Sequence, residues 1–68
     1  MIKLCEANVY LIDENGIEVL ILDSVDKVIP NKDEIILENI YNERKTIRAR
    51  IKEMGLVEHR IVLEKLDY

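Results

Sequence analysis

The chain has 68 residues, a formal net charge of −4, and 49% hydrophobic residues of which only three are aromatic, all Tyr. That length allows one domain, residues 1–68, near the lower limit for an independent core, and that core must be built from Ile, Leu and Val. The acidic balance makes nucleic acid an unfavoured partner; the single cysteine excludes an intrachain disulfide framework; and neither a signal peptide nor a run approaching the roughly 20 apolar residues of a membrane span is present, which points to the cytoplasm.

Period-2 alternation dominates and predicts strands. The first spans about 4–12, with Cys5, Ala7, Val9 and Leu11 on one face and Tyr10 and Ile12 on the other. Asp13-Glu14-Asn15-Gly16 follows, and Asn-Gly is a hairpin signal because both residues tolerate positive φ. A second strand covers 17–22, a turn falls at Asp23-Ser24, and a short third strand covers 25–29. Pro30-Asn31-Lys32-Asp33 forms the next turn, with Pro setting φ at its start. The fourth strand is 34–41, and Asn42-Glu43 leads into a fifth over 44–54. There Ile47, Ala49 and Ile51 alternate with Arg48, Arg50 and Lys52, which favours a strand over a helix at 48–54. Residues 55–58 connect to a sixth strand at about 59–64, and Lys65-Leu66-Asp67-Tyr68 is expected to fray or dock on a partner. Five or six short antiparallel strands in this length predict an all-β fold, a small closed or half-closed barrel of the SH3-like or Sm-like kind. Several strands are apolar on both faces, which one small core cannot absorb, so a homodimer is expected.

Cys5 is the residue that most invites a chemical role. As a structural residue it would be a small buried hydrophobe. As a redox thiol it would need an electropositive setting, which Glu6 opposes. As a metal ligand it is soft, but one thiolate is too few. The other donors would come from backbone amides and from Cys5 of a second copy on a two-fold axis, a set that favours square-planar Ni(II) or Cu(II). His59, the only histidine, reads as a surface turn residue or as a ligand reaching toward Cys5. Arg48, Arg50 and Lys52, with Thr46, form a basic stripe that reads either as surface charge paired with Glu34 and Glu38 or as a contact for single-stranded RNA; the aromatics such a contact stacks on are scarce. No phosphate loop, His-x-x-His or Cys-x-x-Cys occurs, and Ser24, His59 and an Asp make no more than a nominal triad, so an enzyme is not expected.

The opening Cys5-Glu6-Ala7-Asn8-Val9-Tyr10-Leu11 resembles that of the CooT-type nickel-binding proteins, small accessory proteins linked to carbon monoxide dehydrogenase maturation. The likeness continues through Asp23-Ser24-Val25-Asp26, Glu34-Ile35-Ile36-Leu37, Ile40-Tyr41-Asn42-Glu43-Arg44-Lys45, Ile51-Lys52-Glu53-Met54 and His59-Arg60-Ile61-Val62-Leu63-Glu64. The resemblance implies a small all-β homodimer that binds Ni(II) through the N-terminal cysteine of each chain, here Cys5. It also implies carbon monoxide dehydrogenase, or another nickel enzyme, as the partner. The family's cysteine directly follows its initiator Met, and Leu4 stands in that place here. A Leu codon read as a start would make position 4 the natural beginning of the chain.

Overall fold

A computed structural model of the chain describes the backbone of residues 2–66 and the side chains of residues 5–66. It contains five strands: β1 (Ile2–Ile12), β2 (Glu18–Asn31), β3 (Glu34–Asn39), β4 (Arg44–Gly55) and β5 (Arg60–Lys65). They form a closed barrel in the order β1-β2-β3-β4-β5. Each consecutive pair is antiparallel. An odd number of alternating strands cannot close with an antiparallel pair. The seam between β1 and β5 is accordingly parallel, with Asn8 opposite Arg60 and Ile12 opposite Glu64.

The barrel matches the expected all-β class, with differences in detail. The predicted turn at Asp23-Ser24 is a bend inside one long strand. Ser24 takes a left-handed φ of 55°, and β2 continues to Asn31 through Pro30, leaving only Lys32-Asp33 as the next turn. Ser24 and its bend let the first half of β2 pair with β1 while the second half also pairs with β3. Three strands therefore run to 11, 14 and 12 residues rather than being short. Strand β3 stops at Asn39, before Ile40 and Tyr41. In the first hairpin only Gly16, at φ 78°, is left-handed; Asn15 is not. The Asp13 carboxylate instead closes the loop by accepting the amides of Asn15 and Ile17, at 2.8 and 2.9 Å.

Residues 48–54 are extended, not helical. Ala49 is buried and Ile47 and Ile51 half-buried, while Arg48, Arg50 and Lys52 are exposed, as the alternation required. Of the C-terminal tail, Lys65 completes β5 and the Leu66 amide donates to the Arg48 carbonyl at 3.1 Å. Asp67 and Tyr68 lie outside the described residues. The core is aliphatic, made of Ala7, Val9, Leu22, Val25, Val28, Ile35, Leu37, Ala49, Ile61 and Leu63.

One polar side chain is buried with them. Asn39 is 2% exposed, and its amide group donates to the Asp23 carbonyl at 3.2 Å and to Glu43 at 2.7 Å. Its side-chain oxygen accepts the backbone amides of Tyr41 and Glu43. Asn39 thus joins the end of β3 to the bend in β2 and shapes the following turn, where Asn42 is left-handed at φ 65°. Removing that side chain would strand several backbone groups away from water. Asn39→Ala is expected to lower unfolding stability by about 2–3 kcal/mol in urea titrations. A loss below about 0.5 kcal/mol would show that water replaces the network freely.

Candidate metal centre

Cys5 lies in β1 at a bulge. Lys3 pairs with Lys27 and Ala7 with Val25, so three residues of β1 oppose Asp26 alone. An unequal count of this kind forces the longer strand out of the sheet and re-aims its side chains. Ala7 and Val9 return to the core, but Cys5 and Glu6 are exposed. The Cys5 thiol is free. The buried, structural reading of this cysteine therefore does not hold, and the single face expected for Cys5, Ala7, Val9 and Leu11 is broken at its first member. Across the bulge, one carboxylate oxygen of Asp26 is buried without a hydrogen-bond partner among the described residues.

The seam explains why this segment stands apart. Strand β5 begins at Arg60, opposite Asn8, so residues 2–7 have β2 on one side and no strand on the other. The turn between β4 and β5 fills part of that space. His59, left-handed at φ 53°, accepts the Asn8 amide through its carbonyl at 2.9 Å. Its ring Nδ1 lies 3.0 Å from the Glu6 carbonyl. A carbonyl oxygen can only accept, so Nδ1 is the donor in that bond. His59 is thus more than a passive turn residue: it ties the thiol-bearing bulge to the far end of the chain.

Two grooves flank the bulge, and both Cys5 and His59 line each of them. One, of about 230 Å³, runs on to Gly55, Leu56, Arg60 and Ile61. The other, of about 360 Å³, is bordered by Asn8 and Ser24. Beside them Leu56 and Val57 are 62% and 87% exposed. Among the described residues no group of three or more His, Cys, Asp and Glu side chains could hold a metal ion. The side chains of one copy thus supply one soft thiol and one nearby imidazole, too few donors to hold a transition metal.

Two of the three cations in the basic stripe on β4 have carboxylate partners. Arg50 bonds Glu64 at 2.6 Å, and Arg48 lies 3.9 Å from Asp33, with Glu34 opposite it in register. Glu38, expected to serve the stripe, pairs with Lys27 at 3.1 Å. Sequence reasoning gave no role to Arg60, which sits 5.2 Å from the centre of the Tyr10 ring and pairs with Glu18 and Glu53. It roofs the outer face of the seam, where Val62 is buried. The alternation of Tyr10 and Ile12 outward was the signal that this face needed cover.

The fold and the bulge together define a small closed β-barrel that carries one exposed thiol near the start of its first strand, where that strand has a neighbour on one side alone. The chain belongs to the CooT family, described as CO dehydrogenase accessory protein CooT, whose family model matches residues 4–64. Among solved structures, a candidate CooT from Carboxydothermus hydrogenoformans is similar, with 46% identity and a TM-score of 0.83 over 93% of this chain and 100% of that one. None of the curated proteins matches. Among the described residues no helix is long and apolar enough to cross a membrane.

Two roles of His59 can be separated. His59→Gly removes the ring but relaxes the left-handed backbone. It is expected to speed amide hydrogen exchange over residues 5–8 selectively, while global stability changes by no more than about 1 kcal/mol. Unchanged exchange there would mean that the ring does not hold the bulge.

Proposed function

We propose that this CooT-family chain binds Ni(II) as cargo, with Cys5 of two copies supplying the thiolates of one shared site. It is not itself a catalyst. It works in the cytoplasm, handling nickel for the maturation of carbon monoxide dehydrogenase or of another nickel enzyme. The observation that carries this reading is the exposed Cys5 on a bulge with too few donors around it in one copy. A second copy related by a two-fold axis doubles the thiol and makes up the deficit. Backbone amides complete four positions, and thiolate with amide nitrogen suits a square-planar d⁸ ion.

The surroundings support the same arrangement. Leu56 and Val57 are exposed beside the grooves, and a second copy centred on Cys5 would cover them. His59 contributes order, because its bond to Glu6 limits the conformations of the bulge before any ion arrives. A pre-ordered thiol loses less entropy on binding than a frayed one. The nucleic-acid reading draws no comparable support, since Arg48 and Arg50 face carboxylates.

Adding Ni(II) is expected to produce thiolate charge-transfer absorption that saturates at about one ion per two chains. Sedimentation at micromolar concentration should give twice the chain mass. Affinity should rise with pH, because the ion displaces protons from thiol and amide, and fade as acid returns them. Zn(II), which prefers tetrahedral sites, should compete poorly. Cys5→Ser should abolish the band and leave the fold intact. Equal nickel binding by Cys5→Ser would refute the assignment of Cys5, and a stable monomer that still binds nickel would refute the shared site.

A further inference from the structure

A second unpaired edge lies away from Cys5. Residues 18–22 of β2 pair with β1 on one side, through Glu18–Ile12, Val19–Leu11, Leu20–Tyr10 and Leu22–Val9. On the other side β3 joins β2 only from Val25 onward. The chain turns off at Asn39, and the Ile40 amide caps the Ser24 carbonyl at 3.0 Å. The Ile17 carbonyl accepts the Asp13 amide and so faces β1. By strand alternation Val19 faces β1 as well, and the backbone groups of Glu18 and Leu20 point to the open side.

Such an edge is normally blunted by Lys, Pro or an inward charge. This one carries Val19-Leu20-Ile21-Leu22 without interruption. Ile17, Val19 and Leu20 are 57%, 48% and 52% exposed, and Ile40 and Tyr41 are exposed on the turn that follows β3. The edge of β1 differs, because His59 already occupies the Glu6 carbonyl there.

The charge around the edge identifies what fits it. Residues 13–26 contain Asp13, Glu14, Glu18, Asp23 and Asp26 and no Lys or Arg. Arg60 offsets Glu18, but Asp13, Glu14 and Asp23 are exposed with no ion pair among the described residues. Two copies meeting here would bring these carboxylates together, within reach of each other across a Debye length of about 8 Å at physiological salt. Nucleic acid and anionic lipid would be repelled in the same way.

We infer that residues 18–22 of β2 accept an extended segment of a partner protein, apolar at alternate positions and flanked by Lys or Arg. Main-chain bonds to Glu18 and Leu20 add it to the sheet, its apolar residues cover Leu20 and its neighbours, and its basic flanks meet Glu14 and Asp23. The surface is independent of Cys5 and of nickel.

The probe is a fluorescein-labelled peptide, Lys-Lys-Val-Thr-Val-Thr-Val-Lys-Lys, with blocked ends, added to the full chain and followed by anisotropy. Saturable binding is expected, with slowed amide exchange at Glu18 and Leu20, and Cys5→Ser should bind equally. Leu20→Lys, at an exposed site, should weaken binding about tenfold. The pair Glu14→Lys and Asp23→Lys should switch preference to the peptide with Glu in place of Lys. Absence of binding, or binding without protection of Glu18 and Leu20, overturns the inference. Equal binding of the acidic peptide by the unaltered chain overturns the charge argument. A fall in sedimenting mass on Leu20→Lys without peptide would place a second copy on this edge and also overturn it.

Discussion

Closing a sheet of five consecutive strands requires one parallel seam, and here the seam is short. Strand β5 meets β1 only over residues 8–12, so the first half of β1 projects past its neighbour. The bend at Ser24 has a matching effect on β2, whose first half projects past β3. Each of these projecting segments keeps an open edge, and the two differ in chemistry. One carries the thiol and is steadied by His59. The other is apolar with an acidic border. Barrel closure thus leaves both segments with one neighbour instead of two.

Other parts of the surface carry charges paired with one another. Arg60 lies over the Tyr10 ring and pairs with Glu18 and Glu53 on the outer face of the seam. On β4, Arg50 pairs with Glu64 of β5 and Arg48 with Asp33 of the turn before β3. Each exposed pair adds little stability. Their effect is on the field: they offset Arg48 and Arg50 in the positive stripe that the sequence of β4 displays when read alone.

Much of this was legible before the structure. The alternation of Ile47, Ala49 and Ile51 with three cations marked a strand, and Gly16 marked the first hairpin, because both signals are local. The absence of Phe and Trp fixed an aliphatic core. Three things were not legible. Ser24 adopts a left-handed φ that serine seldom takes, so a bend looked like a turn and one strand looked like two. The bulge at Cys5 is a mismatch of register between β1 and β2, and register between strands has no signature in either strand alone. The tie between His59 and Glu6 depends on barrel closure, which brings together residues from opposite ends of the chain. The exposed thiol follows from the last two, so its setting was hidden even though its identity was plain.

The parallel seam has a consequence for the order in which the molecule assembles. Hairpins β1–β2, β2–β3, β3–β4 and β4–β5 join neighbours in sequence, but the seam joins Asn8 to Arg60, near the two ends of the chain. Such a non-local pairing comes late, after loop closure has been overcome. A chain emerging from the ribosome therefore presents its cysteine long before the histidine that steadies it exists. Until the turn before the last strand is made, the Glu6 carbonyl has no His59 ring to bond, and the bulge lacks that tie.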